Sequence, residues 1–373
     1  MTNEFSAGNL TTRRIEPQGR PCVLRQQDEC VPVVLVTGGG GFLGTHIVKR
    51  LLARGDMVRV LGRRRYPHLE ALGVDCRQGD VADESAVRKA MEGCGAVVHT
   101  AAIPGVWGEY KTYYNANYVG TKNIIDAAIA NGVRKLVYTS TPSVVHGGRD
   151  IEGGDETLPY PEHYLTHYAS TKALAEKLVL NMNSGSFATL AIRPHLMFGP
   201  GDTQLIPKLL ARASAGRLRR VGNGENLVSV SYIENVADAH LLALDTLAPG
   251  CAAAGQAYFI NEPEPVKCWD FINRIVVGAG LPQITRGVPY RLAYAAGWLC
   301  ETLYEQMQWQ TDPPMTRFLA DQLATSHWFR VDKARRDLGW KPMVPLDEGV
   351  RRTLNSLRSE NDSEPDSTPH ESS

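Results

Sequence analysis

A chain of 373 residues, 43% hydrophobic and 21% charged, has the size and balance of an ordinary globular protein with a large core. Forty Lys and Arg offset forty Asp and Glu, so no global field points to nucleic acid or an anionic membrane as main partner. Seven scattered cysteines without a Cys-x-x-Cys pair argue against a disulfide framework or a zinc site and favour a reducing, cytoplasmic compartment.

Residues 1–30 are polar, lack the apolar core of a signal peptide and are expected to be a disordered extension. Residues 32–36 (PVVLV) form a short β-branched run, as in a buried parallel strand. The glycine-rich run TGGGGFLG follows, and residues 45–53 (THIVKRLLA) then place Ile47, Val48, Leu51 and Leu52 on one helical stripe. Residues 57–61, 96–100 and 135–139 read as further strands, and residues 117–130 as a helix stopped by Asn131-Gly132. Strands alternating with helices predict an α/β fold, a doubly wound parallel sheet.

Beyond Arg193-Pro194 the pattern breaks at the turn Gly199-Pro200-Gly201-Asp202. The expected division is a Rossmann domain over 31–195, rejoined by 228–262. A smaller discontinuous substrate region takes 196–227 and 263–357, and residues 358–373 form a disordered tail with little to bury. No run reaches the about eighteen apolar residues of a membrane span. The nearest, residues 292–299 (LAYAAGWL), fits a buried helix or a surface resting peripherally on lipid.

Gly38, Gly41 and Gly44 carry the first chemical signal, because they follow a strand and open an amphipathic helix. A tight turn needs positive φ, and a pyrophosphate approaching the backbone leaves no room for Cβ. The helix N-terminus then favours the negative charge. Phe42 and Leu43 lie on the same turn. About 20 residues on, NAD-binding chains place a carboxylate for the adenosine ribose. Here Gly62 is followed by Arg63, Arg64 and Arg65. A guanidinium can bind a 2′-phosphate bidentately, which favours NADP(H), with Arg63 as first choice of ligand. A solvated basic turn is the alternative. Asp80 and Val81, after the next strand, are placed to border the adenine.

Two Tyr-x-x-x-Lys pairs occur, Tyr118/Lys122 and Tyr168/Lys172, each able to share one helix face. Order separates them: Tyr168 follows the hydroxyl-rich strand end Thr139-Ser140-Thr141-Pro142-Ser143, and Tyr118 precedes it. Hydride delivered to a carbonyl carbon leaves an oxyanion that must be stabilised and protonated. Tyr168 is the expected proton donor, and Lys172 is expected to lower its pKa and hold ribose hydroxyls. A threonine or serine hydroxyl of the cluster orients the carbonyl. The histidines at 99, 146, 163, 167 and 195 show no metal-ligand spacing and no metal is required.

TGGGGFLG, HTAA, NYVGT, YTSTPSV, YASTK and RPHLMFGPGD, in this order, resemble the extended short-chain dehydrogenases/reductases over about residues 31–357. The resemblance implies that Thr141 takes the catalytic serine's place, with Ser140 and Ser143 as alternatives. It makes Asn117 a structural asparagine beside the active site, which accounts for the decoy pair. Ala101 and Ala102 would line the cofactor, and the backbone from Pro194 to Leu196 would border the nicotinamide. Arg193 reads as structural. A homodimer through the helices following Asn117 and Tyr168 is implied as well.

WGEY, YTSTPSVVH, YASTKALAE and TRFLADQLATSHW are similar to the 2-alkyl-3-oxoalkanoate reductases of long-chain olefin biosynthesis, relatives of the 3β-hydroxysteroid dehydrogenases. This implies NADPH-dependent reduction of the β-keto group of a 2-alkyl-3-oxo fatty acid to the 2-alkyl-3-hydroxy acid, in partnership with condensing, β-lactone-forming and decarboxylating enzymes. A 3β-hydroxysteroid or sterol dehydrogenase would use the same residues. A sugar-nucleotide epimerase would keep an acidic ribose ligand. A non-catalytic NADP(H) sensor or scaffold would typically lose the Tyr/Lys pair.

Overall fold

The computed structural model describes residues 33–363 except residue 310; the N-terminal extension expected over 1–30 lies outside the described residues. Seven parallel strands build the central sheet: β1 (Val33–Thr37), β2 (Val58–Gly62), β3 (Asp75–Gln78), β4 (Cys94–His99), β5 (Lys135–Thr139), β6 (Ala188–Pro194) and β7 (Gln256–Ile260). Their order is β7-β6-β5-β4-β1-β2-β3. The direction of winding reverses between β1 and β4, and such a switch point opens a crevice at the carboxyl ends of the strands. β1, β2 and β5 are almost wholly buried, as continuous apolar runs covered on both faces must be.

Helix α1 (Phe42–Arg54) buries Ile47, Val48 and Leu51 on the sheet and stops at Gly55, whose φ of 83° only glycine adopts cheaply. The helix expected from residue 117 starts earlier. An α turn (Tyr110–Tyr113) and a π-helical stretch (Tyr114–Val119) run without a break into α2 (Gly120–Ala130). The aromatic run there hid this start, because Tyr110, Tyr114 and Tyr118 stack on one another instead of facing the core. Helix α3 (His167–Asn181) is capped by Thr166, whose side chain accepts from the Ala169 N–H.

After β6, α4 (Leu205–Ser214) leaves the sheet, α5 (Ile233–Thr246) returns to pack near α1, and β7 pairs with β6. Helix α6 (Tyr290–Gln306) packs on the helix Arg317–Ala324. A smaller four-stranded sheet joins Ile151–Gly154, His327–Phe329, Leu227–Val228 and Val266–Lys267.

The expected tail is partly wrong. Helix α7 spans Leu346–Ser363, because buried Val350 and half-buried Leu354 and Leu357 give it an apolar face. Residues 364–373 of that expectation lie outside the described residues. Among the described residues no helix is long and apolar enough to cross a membrane.

Candidate active site

A cavity of about 600 Å³ lies along the carboxyl ends of β1, β2, β4 and β5. One end is the glycine turn. Gly38 has φ 69°, and a Cβ there would stand 2.9 Å from the Ala101 backbone. A Cβ on Gly44 would stand 2.2 Å from the Gly38 carbonyl oxygen, so the third glycine lets α1 close on the strand that feeds it. Gly41 precedes α1 without a capping side chain, so among the described residues no cap side chain takes up the first N–H donors of the helix. Phe42 and Leu43 complete this wall.

At the far side of β2, Arg63 and Arg64 are exposed on the cavity, whereas Arg65 turns away to an ion pair with Glu70 at 2.9 Å. Tyr66 went unread in the sequence. Its ring fills the space above Gly40 and Gly62, where a Cβ would approach to 2.1 and 2.5 Å. The fourth glycine of the turn was the available signal. Asp80 and Val81 also line the cavity, and Asp80 Oδ1 accepts from the Ala82 N–H at 2.9 Å. Gly120 admits Val81 to α2, since a Cβ would meet its Cγ2 at 2.5 Å.

Ala101, Ala102, Tyr168, Lys172, Ser140 and Leu196 line the opposite end. Lys172 is buried; its Nζ donates to the Thr139 carbonyl oxygen at 2.6 Å and lies 4.1 Å from the centre of the Tyr138 ring. Burial brings its pKa down to about 7, partly opposed by the Glu176 carboxylate. Burial also pushes the Tyr168 phenol up to about 12, while the hydrogen-bonded Thr141 hydroxyl pulls the other way. Burial penalises the charged phenolate more than its neighbours favour it, and the proton stays on the oxygen.

Thr141 also accepts from the Ser143 N–H at 3.3 Å, whereas the buried Ser140 Oγ has no hydrogen-bond partner among the described residues. Of the three candidate hydroxyls, Thr141 is the one against the phenol and Ser140 the one in the cavity lining. Asn117 stands one layer back. Its Oδ1 accepts from the Ile103 N–H at 2.8 Å, and its Nδ2 donates to Ile103 O at 3.3 Å and Thr171 Oγ1 at 3.1 Å. It ties the cavity loop to the residue preceding Lys172, from a π-helical stretch of the kind often found at functional sites. The decoy pair is elsewhere: Lys122 is exposed and paired with Asp126 at 2.5 Å.

Pro194 ends β6 and, contrary to expectation, does not line the cavity; as a strand residue paired with Ile260 it is held in the sheet. Leu196 does line it, with φ 42°, a costly angle for a branched side chain. Its neighbour is clamped: the His195 N–H donates to Ser231 Oγ at 3.0 Å, and its Nε2 lies 2.6 Å from His327 Nδ1. His99 is buried between Thr37 Oγ1 (2.6 Å) and Thr121 Oγ1 (2.9 Å), and burial brings its pKa down to about 3. Arg193 pairs with Glu176 and packs over the Phe259 ring.

Residues 35–288 match the 3-beta hydroxysteroid dehydrogenase/isomerase family. The chain is 47% identical to a 2-alkyl-3-oxoalkanoate reductase of Stenotrophomonas maltophilia over 86% of this chain and 97% of that one. It is 45% identical to a protein of the same description from Shewanella oneidensis, covering 86% and 85%. The sterol-4-alpha-carboxylate 3-dehydrogenase of Mus musculus is 36% identical over 86% and 90%. In fold, UDP-glucose 4-epimerase of Thermus thermophilus, solved in complex with NAD, superposes with a TM-score of 0.67 at 24% identity, covering 88% of this chain and 99% of that one. The chain belongs to the 3-beta hydroxysteroid dehydrogenase/isomerase family, oxidoreductases of the extended short-chain type acting between CH–OH and C=O.

Proposed function

We propose that this protein reduces the ketone of a 2-alkyl-3-oxoalkanoic acid to the 2-alkyl-3-hydroxy acid, with NADP(H) as cofactor. The observation that carries this reading is that Tyr168 and Lys172 face the same cavity as the glycine turn and Arg63. The relatives' names support the substrate. Both 2-alkyl-3-oxoalkanoate and sterol-4-alpha-carboxylate describe a carboxylate on the carbon next to the one that changes oxidation state. We assign Gly38, Gly41, Phe42, Leu43 and Gly44 to the pyrophosphate, Arg63 to the 2′-phosphate, and Asp80 and Val81 to the adenine side. Ala101, Ala102 and Leu196 then border the nicotinamide end. A cavity with an uncapped helix N-terminus at one point and free guanidinium groups at another suits a phosphorylated dinucleotide.

When bound, the reduced dinucleotide supplies the hydride. The chain's own residues hold the carbonyl and deliver the proton. Thr141 orients the substrate oxygen, and Tyr168, kept protonated by burial, donates its phenolic proton as negative charge develops there. Lys172 stabilises the phenolate so formed. Asn117 positions Lys172 through Thr171. The region of residues 196–227 and 263–357 covers the substrate. By resemblance, the reaction belongs to long-chain olefin biosynthesis, with condensing, β-lactone-forming and decarboxylating enzymes as partners.

The test is anaerobic oxidation of NADPH by the purified full chain with a 2-alkyl-3-oxoalkanoic acid, beside a 3β-hydroxysteroid with NADP⁺. Turnover of the keto acid is expected. Turnover of the steroid alone would replace the substrate class and leave the catalytic residues in place. No turnover of either would refute the reductase reading.

A further inference from the structure

A second cavity, of about 490 Å³, opens where α4, α6 and the paired strands Arg220–Val221 and Gly287–Val288 meet. It shares no lining residue with the cavity of the glycine turn. Its size falls in the range of roughly 300–1,000 Å³ common to small-molecule sites. The apolar lining runs from buried Val221, past Met315, to exposed Leu292 and Ala296 at the mouth. Three guanidinium groups, Arg212, Arg217 and Arg219, stand in the same lining.

Among the described residues, none of these three arginines has a carboxylate partner, although most other arginines here do. Arg219 Nη1 donates to the carbonyl oxygens of Gly216 (2.6 Å) and Leu218 (2.9 Å), which fixes the group and leaves its other donors. Arg212 lies in the last turn of α4, where a cation suits the helix dipole. Arg217 and Arg219 lie beyond the helix and have no such explanation. The apolar wall also continues outward. Leu292 is 64% exposed, and Leu299 and Leu303 follow it on α6 at 51% and 46%. In a chain of zero formal charge, three unpaired cations against an apolar hollow are a local device.

We propose that this second cavity binds a long-chain carboxylic acid, its alkyl chain against the apolar walls and its carboxylate on the arginines. Charge complementarity selects the anion, since a guanidinium binds a carboxylate bidentately. The apolar hollow selects the chain. Helix α4 links the two sites, because Leu205 at its start lines the first cavity and Arg212 near its end lines the second. The inference is separate from the reductase reading and holds whatever ketone reacts at Tyr168.

Titration calorimetry of the full chain saturated with NADPH tests it, with dodecanoate below its micelle concentration as the probe. One molecule bound per chain is expected. 1-Dodecanol should bind at least roughly tenfold more weakly, as the loss of a charged hydrogen-bond partner requires. Decanoate, two methylenes shorter, should also lose roughly tenfold. The double variant Arg212→Ala/Arg219→Ala should weaken dodecanoate at least tenfold while NADPH affinity stays unchanged. Ala296→Trp, placed on an exposed helix position, should obstruct the mouth without touching the charges. Tyr168→Phe should bind dodecanoate normally. No saturable binding, equal affinity for the alcohol, or indifference to both cavity variants would overturn the proposal. Loss of dodecanoate in Tyr168→Phe would move the acid to the first cavity and overturn it too. Binding to phosphatidylglycerol vesicles without binding of monomeric dodecanoate would assign the arginines to a membrane surface, against the proposal.

Discussion

Glu176 and Arg193 form a bidentate ion pair, at 2.6 and 2.9 Å, with both side chains almost wholly removed from water. Glu176 lies one turn beyond Lys172 on α3, so the pair fixes this helix to β6. Tyr160 adds a hydrogen bond to the carboxylate at 2.6 Å. Burial pushes the carboxyl pKa up, but Arg193 together with the neighbouring hydroxyls more than offsets this and the net shift is downward. The stabilisation is therefore present at neutral pH and is lost on acidification through the lowered pKa.

Glu176→Gln should cost about 3–5 kcal/mol, because it strands a buried guanidinium. Thermal unfolding in the presence of NADPH measures this. Replacing both partners with apolar residues of similar volume should recover much of the loss. A Glu176→Gln protein as stable as the parent would mean that Arg193 finds another partner.

Lys172 gives the pH dependence its sign. With its pKa lowered to about 7, the side chain is an ammonium below that pH and neutral above it. Only the ammonium can stabilise a developing phenolate, so kcat/KM for ketone reduction should fall with one proton as pH rises through about 7. The Tyr168 phenol, titrating near 12, should not contribute in this range. Lys172→Met should be slow and flat with pH over the same window. A profile that rises from pH 6 to 9 would contradict this assignment.

Arg63→Ala should weaken NADPH roughly tenfold or more, the worth of one charged hydrogen bond, and barely change NADH. Arg64, which lines the same cavity, should add to the loss in the double variant. Equal losses for both cofactors, measured by fluorescence titration, would show that neither arginine reads the phosphate.

A homodimer through α2 and α3 would cover Ile129 and Leu174, which are 45% and 39% exposed on those helices. Light scattering at micromolar concentration should report twice the chain mass, and Leu174→Glu should shift it to monomer. A monomeric parent chain would remove the dimer from the account.

The strands and the glycine turn were legible because period and composition act locally: a β-branched run, glycines at fixed spacing, then a helical stripe. That Tyr168 and Lys172, and not Tyr118 and Lys122, line the cavity was legible by order along the chain. What could not be read depends on distant segments. Nothing near His195 announces His327, 132 residues on, or the left-handed Leu196 they flank. Tyr66 over Gly40 is a tertiary contact with only a surplus glycine as its trace. Likewise the raised Tyr168 pKa comes from burial, which local sequence does not encode.

In the proposed reaction Tyr168 delivers the proton. Stopped-flow NADPH oxidation with a 2-alkyl-3-oxoalkanoic acid, comparing Tyr168→Phe with Tyr118→Phe, tests it most directly. Tyr168→Phe should lose ~10²–10⁴ in rate, the usual worth of a positioned proton donor, with NADPH affinity within a few-fold of the parent. Tyr118→Phe should turn over almost normally, since Tyr118 only stacks on Tyr114 beside an exposed Lys122–Asp126 pair. Near-normal turnover in Tyr168→Phe, with loss in Tyr118→Phe, would contradict the account and move the chemistry to Lys122.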